Sequence, residues 1–253
     1  RIGYLPEERG VYRKMKCGSF LTFIARLKGR DGPHLRQSVR QWLERVGLGD
    51  VENKRCEELS KGMQQKLQFI ASVIHEPDLL ILDEPFSGLD PVNMRLLRDL
   101  VIEQKQRGAT IIFSTHVMHQ AERLCDHIVM INNGLKVLDD DLAAIRKRFD
   151  RKTILLEPLD GPVDADRLRA IDGVAHVLHA DGAYEVALTD DTDPARAMSR
   201  LIAAVPVARI ELNRPTLEEV FIRIVTEGRA ADDEELHRLR ASVTAGAAIG
   251  VDR

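Results

Sequence analysis

The chain has 253 residues, 44% hydrophobic, 30% charged and 4% aromatic, with 37 basic side chains against 40 acidic ones and a net charge of -3. That length holds one large domain or a large and a small one, and the balanced charge excludes the one-signed surface from which nucleic-acid binding starts. Apolar runs such as Leu79 to Leu82 and Ile128 to Ile131 fall far short of the roughly 20 residues a spanning helix needs. Cys17, Cys56 and Cys125 are odd in number and far apart, so no disulfide framework or metal-spaced pair is read and a reducing compartment is expected. The first residue is Arg1, without an initiator Met or a signal peptide; the expectation is a chain that was processed or whose beginning is missing.

In chain order, Ile2 to Leu5 reads as a short strand running into a polar loop. Phe20, Leu21, Phe23, Ile24 and Leu27 recur at helical spacing over Ser19 to Lys28, and Gly29 to Pro33 breaks that helix. A second helix spans Leu35 to Val46 on the stripe Leu35, Val39, Leu43 and Val46. A third follows Leu59-Ser60, with Leu67, Ile70, Ala71 and Ile74 on one face, and Pro77 stops it. Residues 14–76 thus form a helical subdomain. Leu79 to Leu82 then reads as a strand buried on both faces, Val92 to Arg107 as a helix, and Ala109 to Phe113 as a second buried strand. A helix over Met118 to Cys125 leads to a strand, His127 to Ile131, and Asn133-Gly134 turns it back into Leu135 to Leu138. A helix over Asp141 to Phe149 closes an α/β part ending near residue 150. Residues 151–228 read as a small α+β domain. Its strands are Thr153 to Leu156, Val174 to Leu178, Tyr184 to Leu188 and Val207 to Leu212, with a turn at Asp181-Gly182. Its helices are Ala165 to Ile171, Pro194 to Ala204 and Thr216 to Val225, and the order is ferredoxin-like, β-α-β-β-α-β. Residues 229–253 read as a poorly ordered tail with one helix near Asp233 to Arg240.

The chemistry concentrates around Leu79-Leu80-Ile81-Leu82-Asp83-Glu84-Pro85. An apolar strand ending in two acids places both at the carboxyl edge of a sheet, where open α/β folds bind ligands. Asp83 can hold Mg²⁺, and Glu84 can orient or deprotonate a water. One helix length earlier stands Leu59-Ser60-Lys61-Gly62-Met63. Ser60 suits an N-cap, a helix start attracts phosphate, Lys61 adds charge and Gly62 permits close backbone approach. Ser87-Gly88-Leu89-Asp90-Pro91 follows the acids, and Ser114-Thr115-His116 ends the next strand, placing His116 at the same edge. Taken singly, these are an acidic turn, a plain N-cap and an ordinary histidine.

Taken together, in this order and spacing, they resemble the ATP-binding subunit of an ABC transporter. Ser60 to Met63 resembles the signature loop, Asp83-Glu84 Walker B, Ser87 to Asp90 the D-loop, His116 the switch histidine, and Ile2 to Glu7 the Q-loop. The resemblance covers residues 1 to about 140. Pro215-Thr216-Leu217-Glu218-Glu219-Val220-Phe221 resembles the C-terminal domain of a subgroup that pairs with ABC-2-type permeases and includes sodium- and drug-export relatives. The resemblance implies a P-loop NTPase fold and a head-to-tail dimer of two ATPase subunits sandwiching two ATP molecules. It assigns Mg²⁺ to Asp83 and Glu7, the lytic water to Glu84 and the γ-phosphate to His116. Ser60, Lys61 and Gly62 would meet the ATP held by the partner, Asp90 would couple the two sites, and an integral membrane permease would be gripped from the inner face of the cell membrane. The expected function is an ATP-hydrolysing cytoplasmic subunit of an exporter, with no nucleic acid as partner. The alternatives are a non-enzymatic fragment or binding module, and a soluble non-transport ABC ATPase.

The chain departs from the family pattern in three places. The signature reads Leu-Ser-Lys-Gly-Met, Glu7 stands where Gln is usual, and no Gly-x-x-x-x-Gly-Lys-[Ser/Thr] occurs. The last departure leads to the expectation of a chain truncated before the Q-loop and inactive alone. Weaker features read as structural: Asp139-Asp140-Asp141 as acids capping a helix, His116 and His119 as an incomplete metal pair, His176 and His179 as surface or edge residues, Trp42 as core, and Arg146-Lys147-Arg148 as a solvated face at a helix end.

Overall fold

The computed structural model describes residues 1–8, 10–149, 152–180 and 182–227. The expected tail and its helix near Asp233 lie outside the described residues. The chain divides into two compact units, Arg1–Leu124 and Cys125–Arg253. The hairpin and helix that the sequence places before residue 150 are therefore grouped with the second unit.

The first unit is a parallel three-stranded sheet in the order β1 (Ile2–Leu5), β2 (Leu79–Asp83), β3 (Thr110–Ser114). Helices α1 (Cys17–Leu27), α2 (Leu35–Arg45) and α3 (Lys61–Val73) intervene between β1 and β2, α4 (Pro91–Gln106) joins β2 to β3, and α5 (Met118–Leu124) follows β3. Leu35, Val39 and Leu43 recur every four residues and are the buried stripe of α2. Trp42 packs against the core, with the Arg45 guanidinium 4.3 Å from its ring centroid. The third helix is different, because every residue from Gln65 to Val73 is buried. Gly3 lets β1 approach it closely: a Cβ there would lie 2.1 Å from the carbonyl oxygen of Ser72. Cys17 and Cys56, distant in sequence, are drawn together beside the bridge between Lys16 and Arg55, and both are buried free thiols.

Burial on the sheet departs from the expectation of strands covered on both faces. Leu5, Leu80 and Leu82 share one core with helix residues such as Phe69, Ile70 and Leu97. The alternate residues do not: Ile2, Tyr4 and Ile112 are each more than half exposed, and Leu79 and Ile81 are intermediate. Side chains alternate between faces along a strand, and these helices fill only the face that carries Leu80 and Leu82.

In the second unit, β4 (His127–Asn132) and β5 (Leu135–Asp141) form an antiparallel hairpin. Asn133 and Gly134 both have positive φ, 50° and 76°, as a tight primed turn requires. Here the expectation for Asp139-Asp140-Asp141 is corrected. These acids end β5 rather than capping α6 (Leu142–Phe149), because pairing continues to His127 opposite Asp141. Asp141 and Asp139 bracket His127, at 2.9 Å from Nδ1 and 2.8 Å from Nε2. Beyond α6, β6 (Thr153–Pro158), α7 (Ala165–Arg169), β7 (Val174–Ala180), β8 (Ala183–Leu188), α8 (Pro194–Ala204) and β9 (Val207–Asn213) build an antiparallel sheet in the order β7-β8-β6-β9. This is the ferredoxin-like order the sequence predicts. Asp164 and Asp193 cap α7 and α8 through their carboxylates. Ile154, Leu156, Leu168, Val186 and Leu201 form the core, and helix α9 (Leu217–Glu227) follows. His176 and His179 lie exposed on the outer strand β7, with His179 stacked on Tyr184.

Candidate active site

Three parallel strands end side by side, and each hands a polar segment to the same edge of the sheet. Leu5 is opposite Leu82 in register, and Asp83 is opposite Ser114. Pro6-Glu7-Glu8, Asp83-Glu84 and Ser114-Thr115-His116 therefore emerge together. Ser114 donates its hydroxyl to Asp83 Oδ1 at 2.5 Å.

Glu84 is the most heavily constrained of these residues. Its φ is +42°, a left-handed conformation that a non-glycine residue rarely adopts. Its N–H donates to the Ser114 carbonyl at 3.0 Å, and its own carbonyl accepts from Ser87 N–H at 3.1 Å. The side chain is tied as well. Oε1 accepts from the His116 N–H at 2.7 Å and lies 2.7 Å from His116 Nδ1, while Oε2 accepts from the Thr115 hydroxyl at 3.2 Å. The Glu84 side chain is 14% exposed and that of His116 is 82% exposed. The carboxylate is thus held in a recess with the imidazole lying outward over it. A carboxylate offers about four lone-pair sites; three are engaged, and the remaining one, on Oε2, is available to a water.

Helix α3 supports this edge from behind. Ser60 caps it, accepting from Met63 N–H at 3.3 Å. Ser60 and Lys61 are exposed, so the free N–H groups of the first turn face solvent. Gly62 lies against Leu89 of the loop after the acids, 3.5 Å from where a Cβ would stand, so an alanine would fit within this chain. Gln65, 2% exposed, donates Nε2 to the Pro85 carbonyl at 3.0 Å. Gln68, 5% exposed, donates to the Pro6 and Glu8 carbonyls at 3.3 and 3.2 Å. The two amides fasten the turn after Glu84 and the loop containing Glu7 to one helix. Neither stands out in the sequence, where each is a single polar residue within a helix whose apolar face is Leu67, Ile70, Ala71 and Ile74.

The other candidates sit as follows. Asp90 caps α4: Oδ1 accepts from Val92 and Asn93 N–H groups at 3.0 and 2.9 Å, and Oδ2 from the Asn93 amide at 2.5 Å. The Asn93 N–H bond, first among these, holds its carboxyl below the usual range. Its carboxylate is therefore committed within its own chain. Glu7 is at the shared edge but exposed. Among the described residues no three His, Cys, Asp or Glu side chains are clustered as a complete metal site. Asp83 and Ser114 nevertheless fit Mg²⁺ by donor chemistry. They are hard oxygen donors at a solvent-accessible edge, suited to a cation that keeps several waters and takes one or two carboxylates.

The chain matches known proteins over most of its length. An uncharacterized ABC transporter ATP-binding protein of Alkalihalophilus pseudofirmus is 43% identical over 224 residues, covering 88% of this chain and 83% of the relative. The chain belongs to the family of ABC transporter ATP-binding proteins. A second relative, the uncharacterized ABC transporter ATP-binding protein YhaQ of Bacillus subtilis, is 40% identical over 89% of this chain and 74% of its own length. A solved structure described as the ATP binding subunit of an ABC transporter is similar with a TM-score of 0.55 and 33% identity, over 58% of this chain and 61% of that one. The family model for the C-terminal domain of DrrA1-3-like ATP-binding proteins matches residues 141–225. A model described as AAA domain, putative AbiEii toxin, Type IV TA system, matches residues 46–118. The fold is accordingly a P-loop NTPase domain of the ABC type joined to a small α+β domain, and the chain is an ATP-binding subunit of an ABC transporter.

Proposed function

We propose that Glu84 is the general base of ATP hydrolysis in this subunit and that the hydrolysis drives a separate ABC-2-type permease in the export direction. The observation that carries the chemistry is the Glu84 carboxylate, fixed by the His116 N–H, the His116 ring and the Thr115 hydroxyl, with one lone-pair site left for a water. Glu84 orients that water and takes its proton. His116 sits with Nδ1 on Glu84; a ring that donates there donates also from Nε2 to a phosphate oxygen only as the imidazolium. Asp83 and Ser114, with Glu7 as a second carboxylate, would hold Mg²⁺. That ion, when bound, offsets negative charge on phosphate oxygens.

The exposed first turn of α3, with Ser60, Lys61 and Gly62, supports a head-to-tail dimer in which each subunit completes the partner's ATP site. Asp90 serves that interface by fixing the loop that leads into the helix it caps. Export and the ABC-2-type permease rest on the resemblance of the C-terminal domain, and they place the subunit on the cytoplasmic face of the membrane. The ATPase part extends to about residue 150, with the small domain over 151–228. The test is steady-state turnover by the full-length protein with and without Mg²⁺, together with light scattering for ATP-dependent dimers. Mg²⁺-dependent turnover with nucleotide-driven dimers supports the reading; a full-length protein that binds ATP yet neither dimerises nor turns over overturns it.

A further inference from the structure

Outside that edge, helices α4 and α5 enclose a groove of about 350 Å³. Phe86, Met94 and Leu124 give it an apolar lining, and four cationic or titratable side chains stand around them: Arg95 and Arg98 from α4, His119 and Arg123 from α5. Each pair is spaced three or four residues apart, so its members share a helix face. No carboxylate among the described residues lines the groove. Arg98 has only Asp99, at 3.6 Å, while Arg95, His119 and Arg123 make no ion pair among the described residues. Like charges placed together over an apolar lining repel one another and hold water over surface that favours burial. An anion with an apolar body relieves both.

We propose that this groove is a binding site for a small organic anion with a ring-sized apolar body, such as an aryl carboxylate, sulfonate or phosphate monoester. Guanidinium forks match the paired oxygens of those groups, and Phe86 and Met94 match the ring. The volume decides for a small molecule, since about 350 Å³ is at the lower end of the roughly 300–1,000 Å³ of ligand pockets. The groove backs onto the Glu84 turn. Phe86 is two residues beyond Glu84 and packs on Phe113, with ring centroids 5.7 Å apart. Gln120, also in the lining, lies 3.5 Å from the Thr115 hydroxyl that bonds Glu84. An occupant therefore bears on the elements that hold the site, although its binding does not depend on the role given to Glu84.

The test is a titration of the full chain, carrying ¹³C-methyl methionine, with naphthalene-2-sulfonate. Met94 reports the groove, and Met15, Met63, Met130 and Met198 report other places. The expected result is a saturable shift at Met94 that Met15, Met63, Met130 and Met198 do not share, weakened about tenfold in each of the exposed-site variants Arg95→Gln and Arg123→Gln. An unmoved Met94 methyl overturns the proposal, as does equal affinity in both variants. Equal binding of neutral 2-naphthol overturns the anionic requirement, and equal binding of sulfate overturns the apolar one. Tighter binding of a Glu-rich peptide at Met94 overturns the small-molecule assignment.

Discussion

Gln65→Met removes one hydrogen bond and almost nothing else. The side chain is 2% exposed and its Nε2 donates to the Pro85 carbonyl at 3.0 Å. Methionine has nearly the same length and volume, so the cavity and overpacking costs are small. What remains is a buried carbonyl deprived of this donor, which costs about 1–3 kcal/mol. The loss falls on the residue next to Glu84, whose left-handed backbone persists only because bonds on both sides hold it. Trp42 is the only tryptophan and packs, partly buried, against the core of the first unit, so its fluorescence in urea reports that unit alone. The expected result is a lower midpoint at unchanged slope, together with reduced turnover and unchanged ATP affinity in the full-length protein. A midpoint shift equivalent to less than about 0.5 kcal/mol with normal turnover would refute the reasoning, because that is the range of surface substitutions without a structural role.

Three further expectations follow from the same geometry. Gly3→Ala places a Cβ 2.1 Å from the Ser72 carbonyl and should cost about 1–3 kcal/mol as strand and helix separate; an unchanged Trp42 unfolding curve would contradict it. His127, between Asp139 and Asp141, has its pKa raised by those hydrogen bonds, Asp139 first. Its contribution is therefore fully present below the ordinary imidazole value of about 6.5 and is lost as pH rises through the higher folded value. The stability gap between wild type and His127→Gln, followed by circular dichroism, should close from acid to alkaline pH; a pH-independent gap would refute the clamp. Burial, then the neighbouring Cys56, pushes the Cys17 thiol up to about 12, so native Cys17 should resist iodoacetamide at pH 8 and react only on unfolding, as peptide mass mapping would show.

Much of this architecture could be read locally. Asp193 followed by Pro194 marks the start of α8, Asn133-Gly134 marks the hairpin turn, and Ser60 marks the start of α3. The same holds for Asp83, Glu84 and His116, because residues at the ends of parallel strands must share an edge. What escaped depends on partners distant in sequence. Gln65 and Gln68 look like surface polar residues until the loops they fasten are in place. The left-handed turn at Glu84 leaves no mark in residue types. Asp139 and Asp141 look like helix caps because nothing local says that strand pairing runs on to His127. The half-covered sheet was misread for a related reason: a run of Leu and Ile fits burial on one face or two, and only the packed helices decide.

The central claim is that Glu84 is the general base, and its isosteric replacement tests it most directly. In Glu84→Gln the amide oxygen can take the place of Oε1 and accept from the His116 N–H, while the NH2 in the place of Oε2 donates to the Thr115 hydroxyl oxygen, so the fold and ATP affinity should persist while the proton acceptor is gone. Steady-state ATP turnover by the full-length variant should fall by at least about 10², with ATP-bound dimers accumulating. Turnover at the wild-type rate would contradict the assignment.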